Sequence, residues 1–333
     1  MKTTAVVFPE PDKFELVDLT LEEPGPGDIV VRTLVSSISP GTERWILRGK
    51  HIGSVFPCVP GYHRIGIVEK CGKDVRDLEE GDVVYGSGGR WTDKIHSMWG
   101  AHVGLSVSEP GWYRFMGRSV PDRFELETTV FAILAGVANR GLRFLDVRPD
   151  ERLLVIGAGI IGVCAAQLAG LRGAHAVLLE VDRARAEFLR PLVGAVVDPT
   201  DPSAGEHLKE LAPDGFDLLY DTVGDAATTD RMVQQVKRHG RMLLQAQYFD
   251  KERCALDLDQ IKLREITVKT TCGTDSLDWF DTVENIRHRR LKIGPLITHR
   301  FGSEDALKGY ELLHSGTPLN LGIVFFWDGT LRG

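Results

Sequence analysis

Short runs in which apolar and β-branched residues alternate with polar ones fill the first third of the chain. These runs are Ala5–Phe8, Phe14–Asp18, Ile29–Ile38, Ile65–Cys71 and Asp82–Tyr85. Glycine and proline punctuate them, at Pro24–Gly27, Gly49, Pro60–Gly61 and Gly86–Gly89. A period of two with turn residues between the runs predicts short strands, and therefore a compact β-rich domain over residues 1–124.

From Glu125 the hydrophobic pattern changes to a helical period, which predicts a helix over Glu125–Leu142. Beyond it, helical stretches alternate with short apolar runs at Leu153–Ile156, Ala174–Glu180, Phe216–Tyr220, Arg241–Gln245 and Ile266–Thr270. Strands that alternate with helices predict an α/β domain with a doubly wound parallel sheet over residues 125–275. The last of these strands, Ile266–Thr270, is expected at the sheet edge.

Two further helices, Leu277–Arg290 and Ser303–Leu313, and a strand, Gly322–Trp327, are predicted in the last part of the chain. Ser303 is a suitable N-cap for the second helix. We expect residues 276–333 to return to the first domain, with ligands bound in the cleft where the parallel strands end.

A glycine-rich turn follows the first strand of the α/β domain, in the order Gly157-Ala-Gly159-Ile160-Ile161-Gly162. Gly157 permits the tight turn, Gly159 lets the backbone approach a pyrophosphate, and Gly162 lets the helix pack on the strand. The first N–H groups of that helix, including those of Ile160 and Ile161, would bind the phosphates. The motif predicts a dinucleotide cofactor.

Glu180, about twenty residues after the last motif glycine, narrows the predicted cofactor to NAD. Its carboxylate would accept both ribose hydroxyls and repel a 2′-phosphate. Arg183 and Arg185 follow closely, however, and an arginine there could accommodate NADP. Further contacts with the cofactor are expected where later strands of the sheet end, at Val223, Gly224, Ala246, Gln247 and Thr271. The alternative for these residues is ordinary packing between a strand and the loop that follows it.

Composition and charge exclude several classes of protein. The formal net charge of −7 argues against a nucleic-acid partner or an anionic membrane surface. No apolar run approaches the length that spans a bilayer, and the chain starts without a signal-peptide pattern, so we expect a cytoplasmic protein. The five cysteines are scattered, without the C-x-x-C spacing of a structural zinc site, and we expect reduced thiols.

The order of these domains resembles the medium-chain dehydrogenase/reductase family over essentially the whole chain. Local matches support the resemblance at Val59-Pro-Gly-Tyr-His-Arg-Ile-Gly66, Phe216–Gly224, Pro295–Arg300 and Tyr310–Gly316. It implies a GroES-like catalytic domain, a Rossmann domain and an oxidoreductase that uses a small-molecule substrate. Family members commonly dimerise through the sixth strand, so a homodimer is also implied.

The zinc ligands of that family are missing from this sequence. Their positions correspond to Ser39, Tyr62 and a residue near Ala132, which are not a tetrahedral set of thiolate, imidazole or carboxylate donors. The resemblance therefore points to a zinc-free branch. Blocks such as Ser39–Glu43 and Ile323–Asp328 look like the bacteriochlorophyllide dehydrogenases, which oxidise a hydroxyethyl group on a chlorin with NAD. The tryptophan-containing segment Gly86–Arg118 has no counterpart that we recognise.

Without a metal, hydrogen bonds must stabilise the substrate oxygen as its proton leaves. The resemblance places Tyr62, His63, Thr42 and Glu43 as the catalytic candidates. Tyr62 would donate its phenol proton, and Thr42 would relay a proton to Glu43 or to His63, whose imidazole ordinarily titrates near neutral pH. Each has a structural alternative: Tyr62 as filler of the vacated pocket, His63 as a core histidine, and Thr42 and Glu43 as a helix cap.

The sequence therefore predicts a zinc-independent, NAD-dependent oxidoreductase that interconverts a secondary alcohol and a ketone. Two other functions stay open. One is the reduction of an activated C=C bond by a quinone or enoyl reductase, which generally uses NADPH. The other is a non-catalytic protein that only binds NAD.

Overall fold

The computed structural model describes residues 1–248, 254–316 and 319–329, and the chain divides into two compact units. The first unit comprises Met1–Phe131 and Gly294–Gly333, and the second comprises Ala132–Ile293. The chain thus changes unit at 131/132 and 293/294, whereas the sequence pattern places the boundaries at 124/125 and 275/276. None of the helices in the described residues is long and apolar enough to cross a membrane.

The first unit is rich in short strands. Its strands are β1 (Lys2–Val7), β2 (Glu15–Thr20), β3 (Ile29–Ser37), β4 (Cys58–Val59), β5 (His63–Cys71), β6 (Val83–Gly86), β7 (His96–Ser97), β8 (Leu105–Ser108), β9 (Tyr113–Gly117), β16 (Ile297–Gly302) and β17 (Gly322–Phe326). Its helices are α1 (Pro40–Leu47), α2 (Arg123–Thr129) and α10 (Ala306–Ser315). Three short 3₁₀ turns lie at Pro110–Trp112, Gly294–Leu296 and Ser303–Asp305.

Within the described residues, seven strands of this unit form one sheet in the order β16-β17-β3-β5-β6-β9, with β8 paired to β3. The central strand β3 is buried along most of its length, which explains its near-continuous Val, Leu and Ile run. Strand β17 pairs antiparallel with β3, so Gly322–Phe326 belongs to this sheet. The segment 86–118 contributes β7, β8 and β9 to its sheets.

The second unit alternates strands and helices. Its strands are β10 (Arg152–Ile156), β11 (His175–Leu179), β12 (Ala195–Val197), β13 (Phe216–Asp221), β14 (Val236–Leu244) and β15 (Thr267–Thr270). Its helices are α3 (Ala132–Leu145), α4 (Ile160–Leu171), α5 (Arg183–Val193), α6 (Ala204–Leu211), α7 (Ala226–Val233), α8 (Leu258–Leu263) and α9 (Ser276–Arg287).

The six strands of this sheet run parallel in the order β12-β11-β10-β13-β14-β15. That order is the one of a dinucleotide-binding Rossmann sheet, so the predicted α/β fold class is confirmed. Strand β15 lies at the edge, as expected from the sequence. An apolar core of residues such as Leu154, Phe216 and Met242 supports the sheet.

Two helix predictions were wrong in detail. The single helix expected over Glu125–Leu142 is divided into α2 and α3, and Thr128 next to the break donates its hydroxyl to Phe124 O at 2.7 Å. Such a side-chain bond to the carbonyl four residues earlier bends a helix. Ser303 is not the N-cap of α10, because the 3₁₀ turn Ser303–Asp305 precedes the helix and moves its cap to Asp305.

Candidate cofactor and catalytic sites

The glycine turn between β10 and α4 has the geometry of a phosphate-binding loop. Gly157 has a φ of +94°, which favours glycine, and Gly159 is the N-cap of α4. Val163 N donates to Gly159 O at 2.9 Å as the helix begins. The N–H groups of Ile160, Ile161 and Gly162 belong to the first helical turn, where helix geometry provides no intrahelical acceptor.

The space around the three glycines differs in a way that fits a bound phosphate. A Cβ on Gly157 would lie 2.3 Å from Val223 Cγ2, and one on Gly162 would lie 2.0 Å from Gly157 O. Both positions therefore exclude any side chain. A Cβ on Gly159 would meet no atom within 4 Å, so open space lies where a pyrophosphate would approach the backbone.

Glu180 follows the last residue of β11 and is only 6% exposed. Its Oε1 accepts a hydrogen bond from Asp182 N at 2.8 Å, and its Oε2 pairs with Arg185 Nη1 at 3.3 Å. Asp182 caps α5 by accepting from Arg185 N, which fixes the loop that carries these groups. A buried carboxylate able to accept from ribose hydroxyls thus lies beside a guanidinium whose geometry suits a phosphate.

Buried polar atoms without a hydrogen-bond partner lie at the ends of β14 and β15. Gln247 Oε1 and Thr271 Oγ1 are both in this state in the described part of the chain. Ala246 is half-buried beside Gln247. Because unpaired buried polar atoms are costly, these positions fit a ligand that supplies amide donors and acceptors, as the nicotinamide carboxamide does.

Asp221, the last residue of β13, orders the loop that contains Val223 and Gly224. Its fully buried carboxylate accepts from Val223 N at 2.9 Å and Gly224 N at 3.2 Å, and also from the hydroxyl of Tyr248. Burial, followed by Asp221, raises the pKa of Tyr248 well above its ordinary value, so the phenol stays a donor. No role was predicted for Asp221 or Tyr248 from the sequence. Asp221 directly follows the predicted strand Phe216–Tyr220, and Tyr248 lies three residues after the predicted strand Arg241–Gln245.

In the first unit, Glu43 on α1 is completely buried. Its Oε1 accepts from Ser39 N at 2.8 Å, and its Oε2 accepts from Tyr310 Oη at 2.5 Å and lies 3.1 Å from His102 Nε2. Burial, and then the Glu43 carboxylate, raise the pKa of Tyr310 well above its ordinary value. Glu43 therefore binds the start of α1 to the core.

His102 and Tyr310 were missed as parts of this cluster. His102 is an isolated histidine after Gly100-Ala101, with no spacing that marks a function, and Tyr310 was noted only within a helix pattern. The bond from Glu43 to Ser39 N agrees with the alternative that Glu43 caps the helix. Thr42, its neighbour, is half-buried.

Tyr62 and His63 lie side by side at the start of β5, with ring centroids 5.5 Å apart. The Tyr62 ring stacks on Trp99 at 4.7 Å, and the His63 ring stacks on Tyr85 at 5.1 Å. Burial, followed by the charges of Arg114 and Arg64, lowers the pKa of His63 to about 3. The titration near neutral pH expected for His63 is therefore wrong, and its imidazole is neutral there.

Arg64 follows this pair in the sequence, and its side chain is fully buried. Its guanidinium donates to Gly100 O at 2.7 Å and to Gly88 O at 2.6 Å, and also to the hydroxyls of Ser106 and Tyr113. It thus joins strands and loops of the segment 86–118.

The donor set does not fit a zinc ion. Ser39 and Tyr62 offer hydroxyls and Ala132 offers no donor, where the family uses thiolate, imidazole or carboxylate. Over residues 1–248, 254–316 and 319–329, no three His, Cys, Asp or Glu side chains come together as possible ligands of a metal.

Two curated relatives are similar to this chain over most of its length. A 2-desacetyl-2-hydroxyethyl bacteriochlorophyllide A dehydrogenase from Cereibacter sphaeroides is 28% identical over 99% of this chain and 100% of its own. An L-threonine 3-dehydrogenase from Vibrio cholerae is 26% identical over 78% of this chain and 80% of its own.

Solved structures share the fold. The alcohol dehydrogenase TADH from Thermus sp. ATN1 has a TM-score of 0.84 at 21% identity, with 97% of this chain and 99% of that chain covered. A putative zinc-binding dehydrogenase from Sinorhizobium meliloti 1021, bound to NADP, has a TM-score of 0.80 at 19% identity, with 98% and 99% covered. An alcohol dehydrogenase from E. coli CFT073, in complex with NADH, has a TM-score of 0.83 at 16% identity and the same coverage.

Two family models match the two parts of the chain. The alcohol dehydrogenase GroES-like domain matches residues 25–113, and the zinc-binding dehydrogenase model matches residues 161–288. Together with the fold and the full-length relative, they show that the protein is an oxidoreductase of the medium-chain dehydrogenase/reductase family.

Proposed function

We propose that the protein is a zinc-independent, NAD-dependent dehydrogenase that interconverts a secondary alcohol and a ketone. The observation that carries the proposal is the replacement of the zinc ligands of the family by Ser39 and Tyr62, with Tyr62 stacked on an aromatic neighbour. A phenol at a vacated ligand position can donate to the substrate oxygen, which supplies hydrogen-bond stabilisation in place of a Lewis acid.

The cofactor proposal rests on the second unit. The loop Gly157–Gly162 would hold the pyrophosphate, Glu180 the ribose, and the unpaired atoms of Gln247 and Thr271 the carboxamide. When bound, the nicotinamide supplies the acceptor or donor of a hydride. The buried carboxylate of Glu180 supports NAD over NADP, since a 2′-phosphate beside it would be repelled.

The residues of the first unit would handle the proton. We assign Tyr62 as the group that donates to the substrate oxygen and exchanges the proton, with the Thr42 hydroxyl as a second donor. Glu43 is a positioning residue, because its carboxylate holds the start of the helix on which Thr42 lies. His63 contributes a neutral ring beside Tyr62, since its pKa is about 3.

The full-length relative supports a hydroxyethyl-chlorin, or another specialised secondary alcohol, as the substrate. The experiment is an assay of purified protein with NAD or NADP and a panel of secondary alcohols that includes hydroxyethyl chlorins, read at the reduced-nicotinamide absorbance band. We expect turnover with NAD. Tyr62→Phe should lower kcat about 100-fold or more, with the Kd for NAD unchanged. Unaltered kcat in this variant would remove Tyr62 from the mechanism.

A second candidate function is the NADPH-dependent reduction of an activated C=C bond. The ion pair between Arg185 and Glu180 favours it, because this guanidinium is placed to meet a 2′-phosphate. Turnover of quinones or enones with NADPH, in the absence of alcohol oxidation, would select this alternative.

A further inference from the structure

A cavity of about 410 Å³ lies within the first unit, lined in large part by the segment 86–118. Residues from four stretches of chain line it: His51 and Ile52 after α1, Gly88–Arg90 after β6, Ser97–Trp99, and Ser108 and Glu109 with Trp112. The cavity volume is within the range of small-molecule sites. It belongs to one unit of the fold and needs no second one to complete its lining.

The apolar part of this lining consists of the indoles of Trp99 and Trp112 together with Ile52 and Met98. Trp112 is 55% exposed and Ile52 is 79% exposed, although both are large apolar side chains. Trp99 contacts His51 edge-on, with centroids 5.4 Å apart, and has a φ of +63°, which is uncommon for a bulky residue. The exposed indole of Trp112, with the half-buried indole of Trp99, favours a ligand with a flat π-system that stacks on them.

Hydrogen bonds from the protein interior hold the residues that line the cavity in place. Gly88 N donates to Trp99 O at 2.5 Å, and a Cβ at Gly88 would lie 2.8 Å from Ser108 Oγ. The guanidinium of Arg64 donates to the carbonyl of Gly88 and to that of Gly100, the residue after Trp99. A fully buried arginine that joins the loops shows a preorganised site rather than a loose surface patch.

The charges around the cavity select against an anion. Arg90 is neutralised by Glu22, at 3.0 Å, and by Asp28. Burial lowers the pKa of His51, which keeps this imidazole neutral at physiological pH. Glu109 adds an exposed carboxylate at the rim. A ring that enters the cavity is therefore expected to have no negative charge.

We propose that this cavity binds a flat conjugated ring of the substrate without negative charge, with Trp99 and Trp112 as the residues that determine specificity. Trp99 joins the cavity to the proposed chemistry, because its indole stacks on Tyr62. A carbinol attached to the bound ring would lie on the Tyr62 side. The inference rests on the proposed alcohol dehydrogenase function and names the shape of its substrate.

The test uses a matched pair of secondary alcohols: 1-(2-naphthyl)ethanol, which is flat, and 1-(2-decahydronaphthyl)ethanol, which has the same carbon skeleton without conjugation. Calorimetry of the full chain without cofactor gives both affinities. We expect the naphthyl compound to bind at least tenfold more tightly, and Trp112→Leu to remove that preference. Phe280→Leu, an exposed aromatic of the second unit, is the control and should leave it unchanged. Circular dichroism verifies that both variants fold.

Equal affinity for the two alcohols, or a Trp112→Leu variant that keeps the preference, would overturn the proposal. This test is independent of whether the proposed function is correct, because binding is measured without turnover. A protein that binds the naphthyl ring through Trp112 but oxidises no alcohol supports the cavity and contradicts the dehydrogenase. A protein that oxidises both alcohols with equal kcat/KM contradicts the cavity alone.

Discussion

His102 Nε2 lies 3.1 Å from the Glu43 carboxylate, and both side chains are fully enclosed by protein. Ser36 Oγ accepts from Trp327 Nε1 at 2.8 Å and also lies 2.8 Å from His102 Nδ1. Because a carboxylate only accepts hydrogen bonds, Nε2 is the donor to Glu43. The chain of bonds ties the start of α1 to β3 and to the end of the chain.

Glu43→Gln should destabilise the protein by about 2–4 kcal/mol, because the amide has one oxygen for three donors and its own NH₂ group would face a donor. Urea denaturation followed by circular dichroism gives the free energy of unfolding. Glu109→Gln, on an exposed side chain, is the matched control and should change it by less than about 0.5 kcal/mol. A Glu43→Gln variant as stable as this control would show that the network is not important for stability.

His63 should make the folded state less stable in acid. The unfolded chain binds a proton near pH 6.5, whereas the folded chain does so only at about 3. The free energy of unfolding should therefore fall as the pH decreases from about 6.5 towards 3, by up to about 1.4 kcal/mol per pH unit from this residue. The difference in unfolding free energy between His63→Gln and the parent, measured from pH 7 to pH 4, isolates the effect. A pH-independent difference would refute it.

Glu180 and Arg185 should have opposite effects on cofactor choice. Glu180→Ala should weaken NAD binding about tenfold or more, since a hydrogen bond to a charged group contributes about 1.5–3 kcal/mol. Arg185→Met should weaken NADP binding and leave NAD binding equal or tighter, because the ion pair at 3.3 Å no longer competes for the carboxylate. Fluorescence titrations with both cofactors give the affinities.

Glu187→Ala provides the control for this pair, because Glu187 is on the same helix as Arg185 but pairs with Arg183 at the surface. It should alter neither affinity. If Glu180→Ala bound NAD as tightly as this control variant does, the ribose contact assigned to Glu180 would be wrong.

The homodimer implied by the family resemblance stays a prediction, and the edge strand β15 is where we expect it to form. Val268 on this strand is 41% exposed. A lysine on an open edge opposes strand pairing, so Val268→Lys should convert a dimer to a monomer. Light scattering coupled to gel filtration measures the mass. A dimeric Val268→Lys variant would place the interface elsewhere.

The parts of the fold that could be predicted have strong local signals. The strand before Gly157, the helix after Gly159 and the carboxylate at Glu180 follow from apolar runs and glycine spacing, and the structure has β10, α4 and β11 there. The edge position of β15 followed from the order of a doubly wound sheet.

Features that depend on long-range contacts could not be predicted. His102 meets Glu43 across 59 positions of sequence, and no pattern around either residue indicates the partner. Strands β4 and β7 have two residues each, too few for a periodic signal. The pKa of His63 depends on burial and on Arg114, which the sequence places far away. The catalytic assignment of Tyr62 and Thr42 remains a prediction.

The most direct test of the account is the rate of NAD reduction by a secondary alcohol before and after exhaustive treatment of the protein with a strong zinc chelator. We predict that kcat is unchanged by the chelator and does not increase when zinc is added back, because Ser39 and Tyr62 cannot replace thiolate and imidazole ligands. Loss of activity on chelation, with recovery on addition of stoichiometric zinc, would contradict the metal-independent mechanism.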